Sequence, residues 1–136
     1  MLLNIPERFF DVKYEGARIP GCDNQSNLWL GANCQVFAYE LLRENGLDIP
    51  NDRSSELWSD ESYSQKVNDY LPLDIFLYNS CPKSFGAHVG VYIGGGMVFH
   101  LSLDNGFPKK ESHESMLKNP KYKSFIGAKR IFRGGA

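Results

Sequence analysis

The chain has 136 residues, 42% of them hydrophobic and 23% charged, which suits one globular domain over residues 1–136 and excludes a disordered or fibrous protein. Fifteen Lys and Arg against sixteen Asp and Glu leave a net charge of −1, too weak a field to hold a polyanion, so nucleic acid is not an expected partner. No run is long enough to span a bilayer, and MLLNIPERFF has neither a basic leader nor a cleavage site; the expectation is a cytoplasmic protein without a membrane partner, with signal-less export or release from a longer precursor left open.

Residues 1–33 are rich in Gly, Pro, Asn and Asp and show no sustained period, so they read as a short helix or turn followed by an extended loop. From 33 to 45 the pattern changes: Phe37, Ala38, Leu41 and Leu42 recur at helical spacing, with Asn33 placed to cap the start and Gly46 just past the end. A second helix is expected at 60–70. Four antiparallel strands follow at 73–78, 88–93, 97–103 and 125–132, runs rich in β-branched and aromatic residues separated by Gly, Pro and Asn. A short helix over 111–118 precedes the last strand and ends before Asn119 and Pro120. A helix followed by a run of strands implies an α+β fold, with an antiparallel sheet packed on one face by the helix at 34–45.

Cys22, Cys34 and Cys81 form no even framework and match no zinc or paired-cysteine spacing, which points to a reduced compartment. Cys34 alone opens a helix, where the dipole and free N–H groups favour a thiolate; a small buried core residue is the alternative for it. Cys22 and Cys81 sit in the turn-like stretches PGCDN and NSCPK.

Two of the three histidines bracket HVGVYIGGGMVFH, residues 88–100. If Ile93 pairs with Met97 across a three-residue glycine loop, Gly90 faces His100, and His88 and His100 share a sheet face within reach of a side-chain hydrogen bond. A two-residue loop would set them on opposite faces. In the first register one imidazole can act as base to a cysteine while the second orients it.

NCQVFAYELLRENGLDIP followed by HVGVYIGGGMVFH resembles the NlpC-type papain-like cysteine peptidases, bacterial cell-wall hydrolases whose signature is a D-C-S-G helix start, an H-V-G-I-Y strand and a strand ending in I-H. The resemblance covers about residues 28–103, with LPLDIF similar to the family's P-G-D-L-V strand entry and IPNDRSS to its L-P-R-T-S loop. It implies a papain-like fold in which the helix carries the nucleophile, with Cys34 as nucleophile, His88 as general base and His100 as the orienting third residue. Tyr14 in YEGAR is the candidate for the family's active-site tyrosine; apart from the resemblance, Trp29 is read as a cleft wall or as a core or rim side chain, and Arg53 as a carboxylate contact or a cover over its loop. Asn33, Gln35, Val36 and Leu73 depart from the pattern, and these changes bear on substrate more than on the nucleophile.

The implied activity is cleavage of an amide bond in a peptide or peptidoglycan fragment, with the bond between D-glutamate and a diamino acid as the leading choice and no cofactor. Acyl transfer or small-molecule amide hydrolysis keeps the same nucleophile. Zinc held by Cys34, His88 and His100, or an inactive binding module, are readings of another class. Composition does not give the oligomeric state. Elsewhere ordinary roles are expected: a solvated His113, a turn fixed by Asp74, a core or rim Trp58, and a solvated face for the six basic residues of 118–133.

Overall fold

The computed structural model describes residues 3–132. After 3-10 helices at Glu7–Asp11 and Leu28–Leu30 come helix α1 (Cys34–Glu44), helix α2 (Ser54–Ser59) and strands β1 (Ser64–Val67), β2 (Ile75–Asn79), β3 (His88–Gly94), β4 (Met97–His100) and β5 (Lys109–Ser112). Helix α3 (His113–Leu117) and strand β6 (Ser124–Ile131) complete the order. The strands form one antiparallel sheet in the order β1-β6-β2-β3-β4-β5, giving the expected α+β class.

Both ends of α1 are closed by side chains or turns that the local sequence supplies. Asn33 Oδ1 accepts the Val36 N–H at 2.8 Å, satisfying one of the helix's free donors. At the other end Gly46 takes φ +82°, while the Gly46 and Leu47 N–H groups return to the Arg43 and Leu42 carbonyls, a left-handed cap that glycine adopts without strain. Val36, Phe37, Ala38, Leu41 and Leu42 are buried against Ile75, Leu77, Val89, Val91 and Phe99. Each of these side chains larger than Ala38 contributes about 1.5–3 kcal/mol on leaving water.

The opposite face of the sheet is buried too, by α3 and the chain that follows it. Phe76, Tyr78, Val98, Met116, Tyr122 and Ala128 form a second cluster, with Tyr92 and Phe125 packed on it. His113 belongs here rather than in solvent: its Nδ1 lies 2.7 Å from the Tyr78 hydroxyl, and its ring stands against Phe125 at 4.6 Å. Glu114 beside it is exposed, while α3 turns His113 and Met116 onto the sheet.

The helix expected at 60–70 is absent, for a definite reason. Asp60 ends α2 instead of starting a helix: its carboxylate accepts the backbone N–H groups of Ser62, Tyr63 and Ser64 and the hydroxyls of Ser62 and Ser64, turning the chain into β1. Buried Lys129 of β6 fastens the same turn by donating to the Trp58 and Asp60 carbonyls. Within 118–133, therefore, the basic residues do not make one solvated face. Lys129 is buried, Arg130 grips Asp74 at 2.8 and 2.9 Å, Lys121 pairs with Asp104, and Arg133 lies outside the described residues. Asp74 also accepts the Leu71 N–H at 2.8 Å, fixing the turn into β2. Just before it, Leu73 takes φ +81° at the place where the family pattern has glycine, a conformation that costs a side-chain-bearing residue about 1–2 kcal/mol.

Candidate active site

The hairpin places the histidines. Val91 pairs with Phe99 and Tyr92 with Val98, the register in which Gly90 faces His100. The loop differs from the three-residue turn expected: Gly94 pairs with Met97, so the turn is the two residues Gly95 and Gly96, and a bulge at Ile93 supplies the extra residue. The bulge restores the parity that a two-residue turn alone would have reversed. His88 Nε2 and His100 Nδ1 are 2.9 Å apart. Their closeness requires Gly90, because a Cβ there would lie 2.6 Å from Val98 Cγ1 and 3.2 Å from His100 Cβ.

Both imidazoles project from the face away from α1, and Cys34 stands where the N-terminus of α1 meets Val89 of β3, near Tyr122, whose ring stacks on His88. The backbone amides of Val89, Gln35 and Cys34 itself surround the thiol. Among the described residues no hydrogen bond joins Cys34 to His88. Burial pushes the Cys34 thiol up, outweighing those amides and the Arg53 guanidinium, which act the other way. This corrects the thiolate expected from the helix start: desolvation of the charged form exceeds the helix-end field here. Burial, assisted by neighbouring His100, draws His88 down to about 3, and His100 is also lowered by burial despite Glu111. The resting pair is a neutral thiol and a neutral imidazole.

A cleft of about 340 Å³ opens over Cys34, lined by Asn33, Gln35, Arg53, Ser54, Ser55, Phe85, Gly86 and Ala87. The loop that carries Arg53 is tied to α1 by the Asp52 carbonyl, which accepts from the Tyr39 hydroxyl at 2.6 Å and from Gln35 Nε2 at 3.4 Å. The Arg53 N–H donates to Glu56 Oε1 at 2.9 Å and starts α2. Tyr14 pairs with Ala32 in a parallel bridge two residues before the cysteine, and its hydroxyl is raised by burial and by the nearby Cys34. The loop between is held by Arg18, which donates to the Gly31, Asp23 and Asn24 carbonyls.

Tyr14 and Arg53 lie near Cys34, and Tyr122 stands between Cys34 and the His88–His100 pair. Trp29 does not join them. It is 86% exposed and lines a separate groove with Arg8, Asp11, Val12 and Ser26, because the Leu28–Leu30 turn carries its ring away from α1. Among the described residues no group of three His, Cys, Asp or Glu side chains is arranged to hold a metal ion, and the two imidazoles spend nitrogens on each other, so zinc ligation by Cys34, His88 and His100 is not supported. No helix of the described residues is long and apolar enough to cross a membrane.

Two contributors were not read from the sequence. Tyr122 stacks on His88 with ring centres 4.5 Å apart and planes at 18°, and Glu111 Oε1 lies 3.1 Å from His100 Nε2. Neither belongs to a recognisable motif: Tyr122 stands in the charged stretch NPKYKS and Glu111 in the polar run KKES.

The NlpC/P60 family profile matches residues 15–126. The chain belongs to the NlpC/P60 family. Among solved structures it is similar to an NlpC/P60 family protein from Bacillus cereus, at 21% identity and TM-score 0.57 over 74% of this chain and 32% of that one. NlpC2 from Trichomonas vaginalis is 18% identical with TM-score 0.64, over 91% of this chain and 43% of that one. The NlpC/p60 domain of the peptidoglycan hydrolase SagA is 18% identical with TM-score 0.56, over 79% of this chain and 83% of that domain. These identities carry the NlpC/P60 fold, and the chain spans less than half the length of the first two. Among curated proteins none matches.

Proposed function

We propose that the protein is a cysteine hydrolase that cleaves an amide bond in peptidoglycan stem peptides, between D-glutamate and a diamino acid. The observation that carries this reading is the 2.9 Å contact between His88 Nε2 and His100 Nδ1 beside a cysteine at a helix start. Membership of the NlpC/P60 family and likeness in fold to a peptidoglycan hydrolase domain support the substrate class.

His88 Nε2 is occupied by His100, so Nδ1 is the nitrogen available to the thiol. In the proposed reaction Cys34 Sγ attacks the scissile carbonyl carbon as its proton passes to His88 Nδ1, and the carbonyl π pair moves to oxygen. The Cys34 and Gln35 N–H groups at the helix start are the donors for that oxyanion. Collapse breaks the C–N bond, and the leaving amine takes the proton from His88. A water then gives its proton to His88, attacks the thioester and releases the carboxylic acid, with the proton returning to sulfur. His100 holds the imidazole ring in place, Tyr122 screens its face, and Arg53 meets a carboxylate of the peptide in the cleft.

The test is incubation of defined stem tri- and tetrapeptides with wild-type protein, Cys34→Ala and His88→Ala, with products identified by mass spectrometry. Wild type should release an L-Ala-D-Glu dipeptide and the variants should not. Intact peptides after prolonged incubation with wild type, or equal release by folded Cys34→Ala, would overturn the proposal.

A further inference from the structure

The contact chain does not stop at the histidines. His88, His100 and Glu111 stand on β3, β4 and β5, and the register of β4 with β5 pairs Val98 with Glu111 and His100 with Lys109, so the carboxylate lies diagonal to the His100 ring. His100 Nε2 to Glu111 Oε1 is 3.1 Å, and Glu111 Oε2 accepts the Ser115 hydroxyl at 2.8 Å. Resting on the hydrolase reading above, we propose that Glu111 is a positioning residue: it fixes the proton of His100 on Nε2 and thereby compels His88 to present a bare Nδ1 to the thiol.

The argument proceeds by elimination. An ionised carboxylate only accepts, so a neutral His100 must carry its single proton on Nε2. Its Nδ1 then has a lone pair and no proton, and the 2.9 Å contact is a hydrogen bond only when His88 Nε2 donates. A neutral His88 has no second proton, which leaves Nδ1 free to receive one. Without Glu111 the reverse polarity, His100 Nδ1 donating to His88 Nε2, fits the same distance equally well and places the His88 proton on the nitrogen that must act as base.

The surroundings agree with these protonation states. Both histidines are held neutral mainly by burial. Burial raises Glu111, but the hydrogen bonds from Ser115 and His100 outweigh it and bring the carboxyl below its usual range. The groups facing this chain are Tyr122 beside His88, with Cys34 near Tyr122, then Tyr122 and Lys109 beside His100, and Tyr78, Lys109 and Ser115 beside Glu111. Ser115 is set by the β5 to α3 turn, where its N–H donates to Ser112 Oγ at 3.1 Å. When His88 takes the thiol proton, the charge stays on its ring, and the resulting imidazolium is stabilised through two hydrogen bonds by the Glu111 carboxylate, the same service a carboxylate gives a histidine in a hydrolase triad.

The test uses the full chain labelled with 15N-histidine, its imidazole tautomers read at pH 7 without substrate, together with turnover of an L-Ala-D-Glu-diaminopimelate tripeptide. Wild type should show His88 and His100 both protonated on Nε2. Glu111→Ala should convert both to tautomer mixtures and lower kcat about tenfold to a hundredfold with little change in KM, the scale of losing a group that orients a site histidine. Glu111→Gln, which keeps the shape and an acceptor oxygen, should retain the tautomers while His100 titrates at lower pH than in wild type. A His88 proton found on Nδ1 in wild type, or unchanged tautomers in Glu111→Ala, would overturn the proposal. Correct tautomers with the expected Glu111 dependence in a chain that cleaves no peptide would uphold the relay and refute the hydrolase reading.

Discussion

Toward α1 the sheet presents Ile75, Leu77, Val89, Val91 and Phe99, side chains with nothing to ionise; away from it the same strands present Phe76, Tyr78, Tyr92, His88 and His100, joined by His113 and Tyr122. Burial does opposite work on the two sides. On the first it is the stabilising term itself. On the second it keeps imidazoles neutral, which suits a base and makes that half of the molecule sensitive to acid. Both faces hold the fold, but the imidazoles are gathered on one of them.

The largest effect that sharpens this contrast should come from His88→Ala: loss of the proposed base should reduce peptide turnover about 100- to 10,000-fold with small loss of stability, measured by steady-state kinetics beside urea unfolding. Leu41→Ala should do the reverse. Leu41 is fully buried on the apolar face, so its truncation should cost about 2–5 kcal/mol of unfolding free energy, by the same amount at pH 5 and pH 8, with kcat per folded molecule unchanged. Gly90→Ala breaks the separation: overpacking against Val98 should cost about 1–3 kcal/mol, and turnover should fall further than stability because the new methyl displaces His100 from His88.

Acid should weaken the histidine face first, before the carboxylates of Asp60 and Glu111 begin to protonate. The folded-state pKa values of His88, His100 and His113 all lie below the unfolded value, so the unfolded chain takes protons first. Their contribution is fully present above about pH 6.5 and is lost as pH falls, for His88 down to about 3. Urea unfolding from pH 7 to pH 4 should show a decline of at most about 1.4 kcal/mol per pH unit for each histidine; a flat profile would mean the imidazoles are not buried neutral. The smallest effect expected is on thiol reactivity. With a neutral buried thiol, Cys34 should react with iodoacetamide at pH 6 no faster than Cys22 or Cys81 and should accelerate as pH rises, whereas a fast, pH-independent reaction would reveal a resting thiolate.

Legibility from sequence followed how local each contact is. Helix α1 could be read because its apolar spacing, Asn33 cap and Gly46 stop are all local, and the histidine pair because strand parity leaves only two registers. The turn that produces the register was misread, since three consecutive glycines do not show which residue bulges. Strand β5 was hidden because KKES contains neither β-branched nor aromatic side chains, so Glu111 had no visible partner. Asp60 opens the stretch expected as a helix but ends one instead. Tyr122 and His113 look solvated among charged neighbours, and only the packing of α3 and the following turn on the sheet brings them inward.

The central claim is that Cys34 carries the acyl group, and peptide mapping of a reaction quenched in acid during turnover tests it most directly. The account predicts a transient L-Ala-D-Glu acyl mass on the fragment containing Cys34, absent from those containing Cys22 and Cys81 and absent in Cys34→Ala. Product accumulating from Cys34→Ala at the wild-type rate, or an acyl group found on another cysteine, would contradict it.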